Sequence, residues 1–146
     1  MRSWHLFAIA AIVIAGIAIS GWLADRSQPV AGSTQTVQTD GLTVTLRIDE
    51  QSIGQRVLNV TVTDEAGQPT DITDLRLRFS MVDMDMGISE VVAQQIGAGR
   101  FQARGQFFSM AGSWRVDTVV VRVGQNEVQV PFTLAIAAPG EASGPT

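Results

Sequence analysis

Leu42, Val44, Leu46 and Ile48 alternate with Thr43, Thr45 and Arg47, the period of two that turns one face of a β-strand to a core and the other to water. The same alternation returns in Leu58, Val60 and Val62, which run into the turn residues Asp64 to Pro69. It is clearest in Leu75, Leu77, Phe79 and Met81, whose opposite face carries Arg76, Arg78 and Ser80. A less regular stretch from Ile88 to Gln95 predicts a fourth strand. Gly97-Ala98-Gly99 turns the chain into a fifth, with Phe101, Ala103, Gly105 and Phe107 on one face and Arg100, Gln102, Arg104 and Gln106 on the other. After Met110-Ala111-Gly112 a sixth begins at Trp114 and passes through Val119-Val120-Val121, a run that alternates poorly and predicts a central strand or a bulge. Gly124-Gln125-Asn126 closes a hairpin into a seventh, with Val128, Val130, Phe132 and Leu134 inward and Pro131 predicting an edge position.

Seven short strands over residues 41–136, separated by turn residues and with no amphipathic helix among them, predict an all-β fold. The expected architecture is an immunoglobulin-like antiparallel β-sandwich, with a small barrel as the alternative. Gly97, Gly99 and Gly112 are expected to allow positive φ in tight turns, and Gly105 to mark a bulge or close packing under Trp114.

The flanks read differently. Residues 6–24 hold nineteen residues without a charge, enough at roughly 1.5 Å each to cross a hydrocarbon core of about 30 Å. Arg2 and the α-amino group precede this run and Trp4 and Trp22 sit near its ends, which predicts a single transmembrane helix with residues 1–5 inside the cytoplasm and the rest outside. A cleaved signal peptide, with Ala18 and Ser20 near the cleavage site, is the alternative. Both place the sandwich on the extracytoplasmic side of a cell membrane. Residues 25–40 are rich in Ser, Thr, Gln and Gly and read as a flexible tether; the tail 137–146 reads the same way.

Composition removes several functions. The formal net charge is -4, from 14 acidic residues against 10 basic ones, all Arg, so no clustered positive surface for nucleic acid is expected. Cys is absent and the only His is His5, ahead of the apolar run. The body therefore lacks thiolate and imidazole, and with them the commonest nucleophile, acid–base and zinc chemistries. The carboxylate pairs Asp49/Glu50, Asp64/Glu65 and Asp71/Asp74 fall at turns, where acids are ordinary, and nothing pairs a nucleophile with a base. An enzyme is not expected.

Methionine changes the picture. Four of the five methionines are Met81, Met84, Met86 and Met110, three of them within Met81-Val82-Asp83-Met84-Asp85-Met86-Gly87. Thioethers are soft donors suited to Cu(I). Met81 has the parity of a core side chain. Met84 and Met86, two apart and on one side, are the candidate ligands, and Met110 is a third if the loops after strands three and five emerge at one end. Asp83 and Asp85 read as solvated loop charges.

Met84-Asp85-Met86-Gly87, Gly97-Ala98-Gly99-Arg100-Phe101 with Gly105, and Met110-Ala111-Gly112-Ser113-Trp114 together resemble the YtkA-like family, extracytoplasmic domains related to the FixH type and found joined to CopC/CopD-like copper proteins. Phe101 stands where the family often has Tyr. The resemblance implies an immunoglobulin-like fold and a link to copper handling or to assembly of copper-containing membrane enzymes, and no established catalytic activity. The chain lacks the His ligands of CopC-type sites, so any copper is expected as Cu(I).

Two functions follow. The first is a membrane-tethered copper-binding or copper-trafficking accessory domain that uses Met84, Met86 and Met110 and serves a membrane-bound copper protein or transporter. The second is a non-metal interaction module that docks the sandwich end, or faces carrying Arg76, Arg78, Arg100 and Arg104, on a membrane protein.

Overall fold

The computed structural model describes residues 32–138. These form nine strands: β1 (Ser33–Thr39), β2 (Leu42–Ile48), β3 (Arg56–Asp64), β4 (Asp74–Met81), β5 (Ser89–Val92), β6 (Gln94–Gly97), β7 (Arg100–Gly105), β8 (Gly112–Val121) and β9 (Val128–Ile136). They pair antiparallel into a five-stranded sheet of order β1-β2-β3-β7-β6 and a four-stranded sheet of order β5-β4-β8-β9. The alternating apolar positions of both sheets meet in one core, including Val44, Leu46, Leu58, Val60, Leu75, Leu77, Val116, Val130 and Phe132. The result is a two-layer antiparallel β-sandwich. Among the described residues no helix is long and apolar enough to cross a membrane. The predicted transmembrane run 6–24 lies outside the described residues.

Five expectations need correction. Part of the predicted tether is a strand: β1 pairs with β2 along its whole length, from Ser33 opposite Ile48 to Thr39 opposite Leu42. The signal for it is Asp40-Gly41, at φ 49° and 73°, the left-handed pair that a two-residue hairpin of matching twist requires. The strand itself is polar because it lies at the sheet edge. Only Val37 packs against the core, and the Gln35 amide reaches across to donate to the Thr133 carbonyl of β9 at 2.8 Å.

The predicted fourth strand is two strands in different sheets. β5 pairs with β4 and β6 with β7, and buried Ala93 marks the crossing, its N–H donating to the Leu75 carbonyl at 2.9 Å. Strand count therefore rises from seven to nine. The fifth predicted strand ends at Gly105, before Phe107. Gly105 packs against the Phe107 ring rather than under Trp114. Gly99 and Gly112 do adopt positive φ, whereas Gly97 does not and instead lies against the Arg100 guanidinium.

Other readings hold. β8 is central, flanked by β4 and β9, and its ladder to both runs without a bulge. β9 with Pro131 is at the edge.

Candidate functional site

The strand registers decide which loops meet. Met81 at the end of β4 opposes Trp114 near the start of β8, and the Val82 N–H extends that ladder to the Ser113 carbonyl at 3.0 Å. The loop carrying Met84 and Met86 therefore leaves the sheet beside the one carrying Met110. Arg56 at the start of β3 opposes Gly105 at the end of β7, which adds the 49–55 loop to the same end. That loop is tied down by Glu50, which accepts from Ser52 Oγ at 2.7 Å and pairs with Arg56 at 3.1 Å. Asp49 Oδ1 accepts from the Glu50 and Val57 amides. Both acids are thus structural.

The 106–111 segment is fixed by aromatic packing. Phe107 stacks on Phe79 with ring centroids 4.8 Å apart and 6° between planes. Phe108 meets Phe79 and Trp114 edge-on at 5.7 and 5.4 Å. Trp114 Nε1 donates to the Met110 carbonyl at 3.0 Å and pins the turn. Gly112, at φ 139°, leaves room for the Met81 methyl, which a Cβ there would meet at 2.8 Å.

The methionines divide. Met81 is half-buried and packs on the core, as its parity predicts. Met84, Met86 and Met110 are exposed, at 54, 51 and 37%. All three side chains therefore reach solvent. Met84 lines a hollow with Ser80, Met81, Asp83 and Ile88. Met86 lines a second one, over Phe79, Phe107 and Trp114 and beside Ser109 of the neighbouring loop. The structure thus brings Met86 to the 106–111 loop and sets Met84 nearer Met81, so the two do not share one hollow as their spacing suggests. The cause is local: residues 82–88 are irregular, with Gly87 at φ 81° and its N–H on Asp85 Oδ1 at 3.2 Å. Alternation holds only in an extended strand.

Among the described residues no group of three or more His, Cys, Asp or Glu is placed to hold a metal. The soft donors exposed at this end are thioethers, which suit a soft monovalent cation; the carboxylates of Asp83 and Asp85 are exposed on the same loop as Met84 and Met86. Sequence reasoning missed the apolar company the methionines keep. Val82 and Ile88, at 57 and 73% exposure, flank the methionines on the same loop; their parity with Met84 and Met86 in Val82-Asp83-Met84-Asp85-Met86-Gly87-Ile88 was the available signal.

Three of the four Arg side chains of the predicted docking faces, Arg76, Arg78 and Arg104, have polar partners. Arg76 pairs with Asp74 at 3.3 Å, Glu90 at 3.9 Å and Glu127, and Arg78 with Glu90 at 2.6 Å. Arg104 donates to Gln102 at 2.9 Å. The hydrogen bond from Arg78, then the charges of Arg78 and Arg76, hold the Glu90 carboxyl below its ordinary range against the opposing effect of desolvation.

A crystal structure of a DUF4785 family protein from Legionella pneumophila superposes with a TM-score of 0.50 at 11% identity, covering 69% of this chain and 29% of that one. The chain thus spans under a third of that protein's length, and the likeness is one of fold. No curated protein matches the sequence. The family model described as YtkA-like matches residues 36–119, more than half of the 146 residues, from within β1 to within β8. The chain belongs to the YtkA-like family.

Proposed function

We propose that this chain is a single-pass, membrane-tethered, extracytoplasmic accessory protein, not an enzyme, whose immunoglobulin-like sandwich carries Cu(I) on Met84, Met86 and Met110 for a membrane-bound copper protein or transporter. The observation that carries this reading is the placing of three exposed thioethers on two loops that the adjacent strands β4 and β8 send to one end. A thioether at an exposed site gains little from packing, whereas as a soft ligand it has a use there. The β4–β8 ladder and the Trp114 bond to the Met110 carbonyl fix the stems of both loops.

The test is a Cu(I) titration of the full-length chain in detergent against a competing chelator. Submicromolar binding that disappears in the M84L/M86L/M110L triple variant is expected, because Leu keeps the volume and removes the sulfur. A parent chain that takes no Cu(I) from the chelator overturns the reading.

A second reading has its own support. Val82 and Ile88 are not metal donors, yet they are exposed on the same loop. They favour an interaction module that docks this end on a membrane protein, and that reading needs no metal.

A further inference from the structure

The chain joins the sandwich at the methionine end. Ser33, the first residue of β1, opposes Ile48, the last of β2, and Ile48 leads into the 49–55 loop that lies beside the 106–111 loop. The same end also receives Ala137, which bridges Ser52. The β1–β2 and β8–β9 turns lie at the other end, where Val123 is 85% exposed.

The nineteen-residue apolar run of the sequence ends at Ala24, nine positions before Ser33. Nine steps of chain reach at most about 30 Å even when fully extended. A sandwich held by that run is held by its methionine end, which makes Val82, Met84, Met86, Ile88 and Met110 its membrane-proximal surface.

That surface is unusual for the molecule. Five of the eight large hydrophobic side chains exposed among the described residues are on these two loops, and four of them fall within residues 82–88. Clustered exposed apolar side chains mark a surface that meets something less polar than water. Asp83 and Asp85 accompany them and enter none of the ion pairs found among the described residues. Two unpaired carboxylates disfavour an anionic surface and allow a zwitterionic one.

We propose that the methionine end docks on the lipid surface of the bilayer that holds residues 6–24, with Val82, Met86 and Ile88 seated at the headgroup boundary of zwitterionic phospholipid. This rests on the reading of residues 6–24 as a retained anchor and is independent of copper. Docking places Met84, Met86 and Met110 at the membrane surface.

Because the chain has no Cys, single fluorophores can be placed by I88C and, as the control at the far end, V123C. The full-length proteins go into phosphatidylcholine nanodiscs with and without brominated acyl chains. Quenching at Ile88 at least about threefold that at Val123 is expected of side chains lying about 5–10 Å into the boundary. Adding V82D and M86D to the I88C protein should reduce it to the Val123 level, and both changes fall on exposed positions that the core does not use. Replacing a third of the lipid by phosphatidylglycerol should weaken the quenching. Equal quenching at the two positions in a chain that stays in the disc overturns lipid docking alone and leaves a protein partner as the occupant. A chain that separates from the discs overturns docking together with the anchor on which it rests.

Discussion

Thr118 lies on the inward face of β8 between Val116 and Val120, fully buried, and its Oγ1 has no hydrogen-bond partner. A buried hydroxyl left unpaired costs about 1–3 kcal/mol of desolvation that nothing recovers. Thr118→Val keeps the shape and removes the polar atom, so it should stabilise the sandwich by about 1 kcal/mol. The check is a urea denaturation followed by Trp114 fluorescence, and a lower midpoint in the variant would sink the argument. At the same scale the methionines sort by what surrounds them. Met81 follows strand parity into the core margin, while Met84 and Met86 lie beyond the strand and face solvent from different hollows. Residue type alone does not separate these cases; distance from the last ladder hydrogen bond does.

β5 is only four residues long and lies at the edge of its sheet, where few contacts hold it. The Arg78–Glu90 bond crosses from β4 to β5 at the register that pairs the two residues. Since the Glu90 carboxyl is held below its ordinary range, it binds its proton less readily folded than unfolded. Its contribution to stability is therefore present above the unfolded-state value and is lost as pH falls through the folded one. Glu90→Gln should lower the denaturation midpoint slightly at neutral pH, and the difference from the parent should vanish in acid; a difference independent of pH would show that the charge plays no part. Elements were legible where burial imposes alternation. β2, β3, β4 and β9 show it on the core face, and their predicted positions match. β1 was not, because an edge strand made of Thr, Gln and Ser buries only Val37 and is written like a linker, apart from the Asp40-Gly41 turn. Nor was the division at Ala93, since one small buried residue between two short edge strands interrupts no pattern. The candidate site was legible as a cluster of donors, whereas its aromatic floor of Phe79, Phe107 and Trp114 depends on packing between segments far apart in sequence.

For the whole molecule, the family match ends at Val119 within β8, but the physical unit does not. β9 sends Val128, Val130, Phe132, Leu134 and Ile136 into the core and pairs with β8 from Val120 to Gly112. Beyond it Ala137 donates to the Gln51 carbonyl and accepts from the Ile53 N–H, so the chain's last described strand also steadies the 49–55 loop at the methionine end. Burying five such side chains contributes on the order of 10 kcal/mol, comparable with the whole stability of a typical domain, about 5–15 kcal/mol. A chain stopped after Asn126 should therefore lose the cooperative unfolding transition and the protease resistance of the parent. One stopped after Ala138, which keeps β9 and both hydrogen bonds of Ala137, should retain them. Limited proteolysis of the two in parallel decides the matter: a resistant chain ending at Asn126 would mean that the matched segment carries its own core, and that β9 covers the sandwich without completing it.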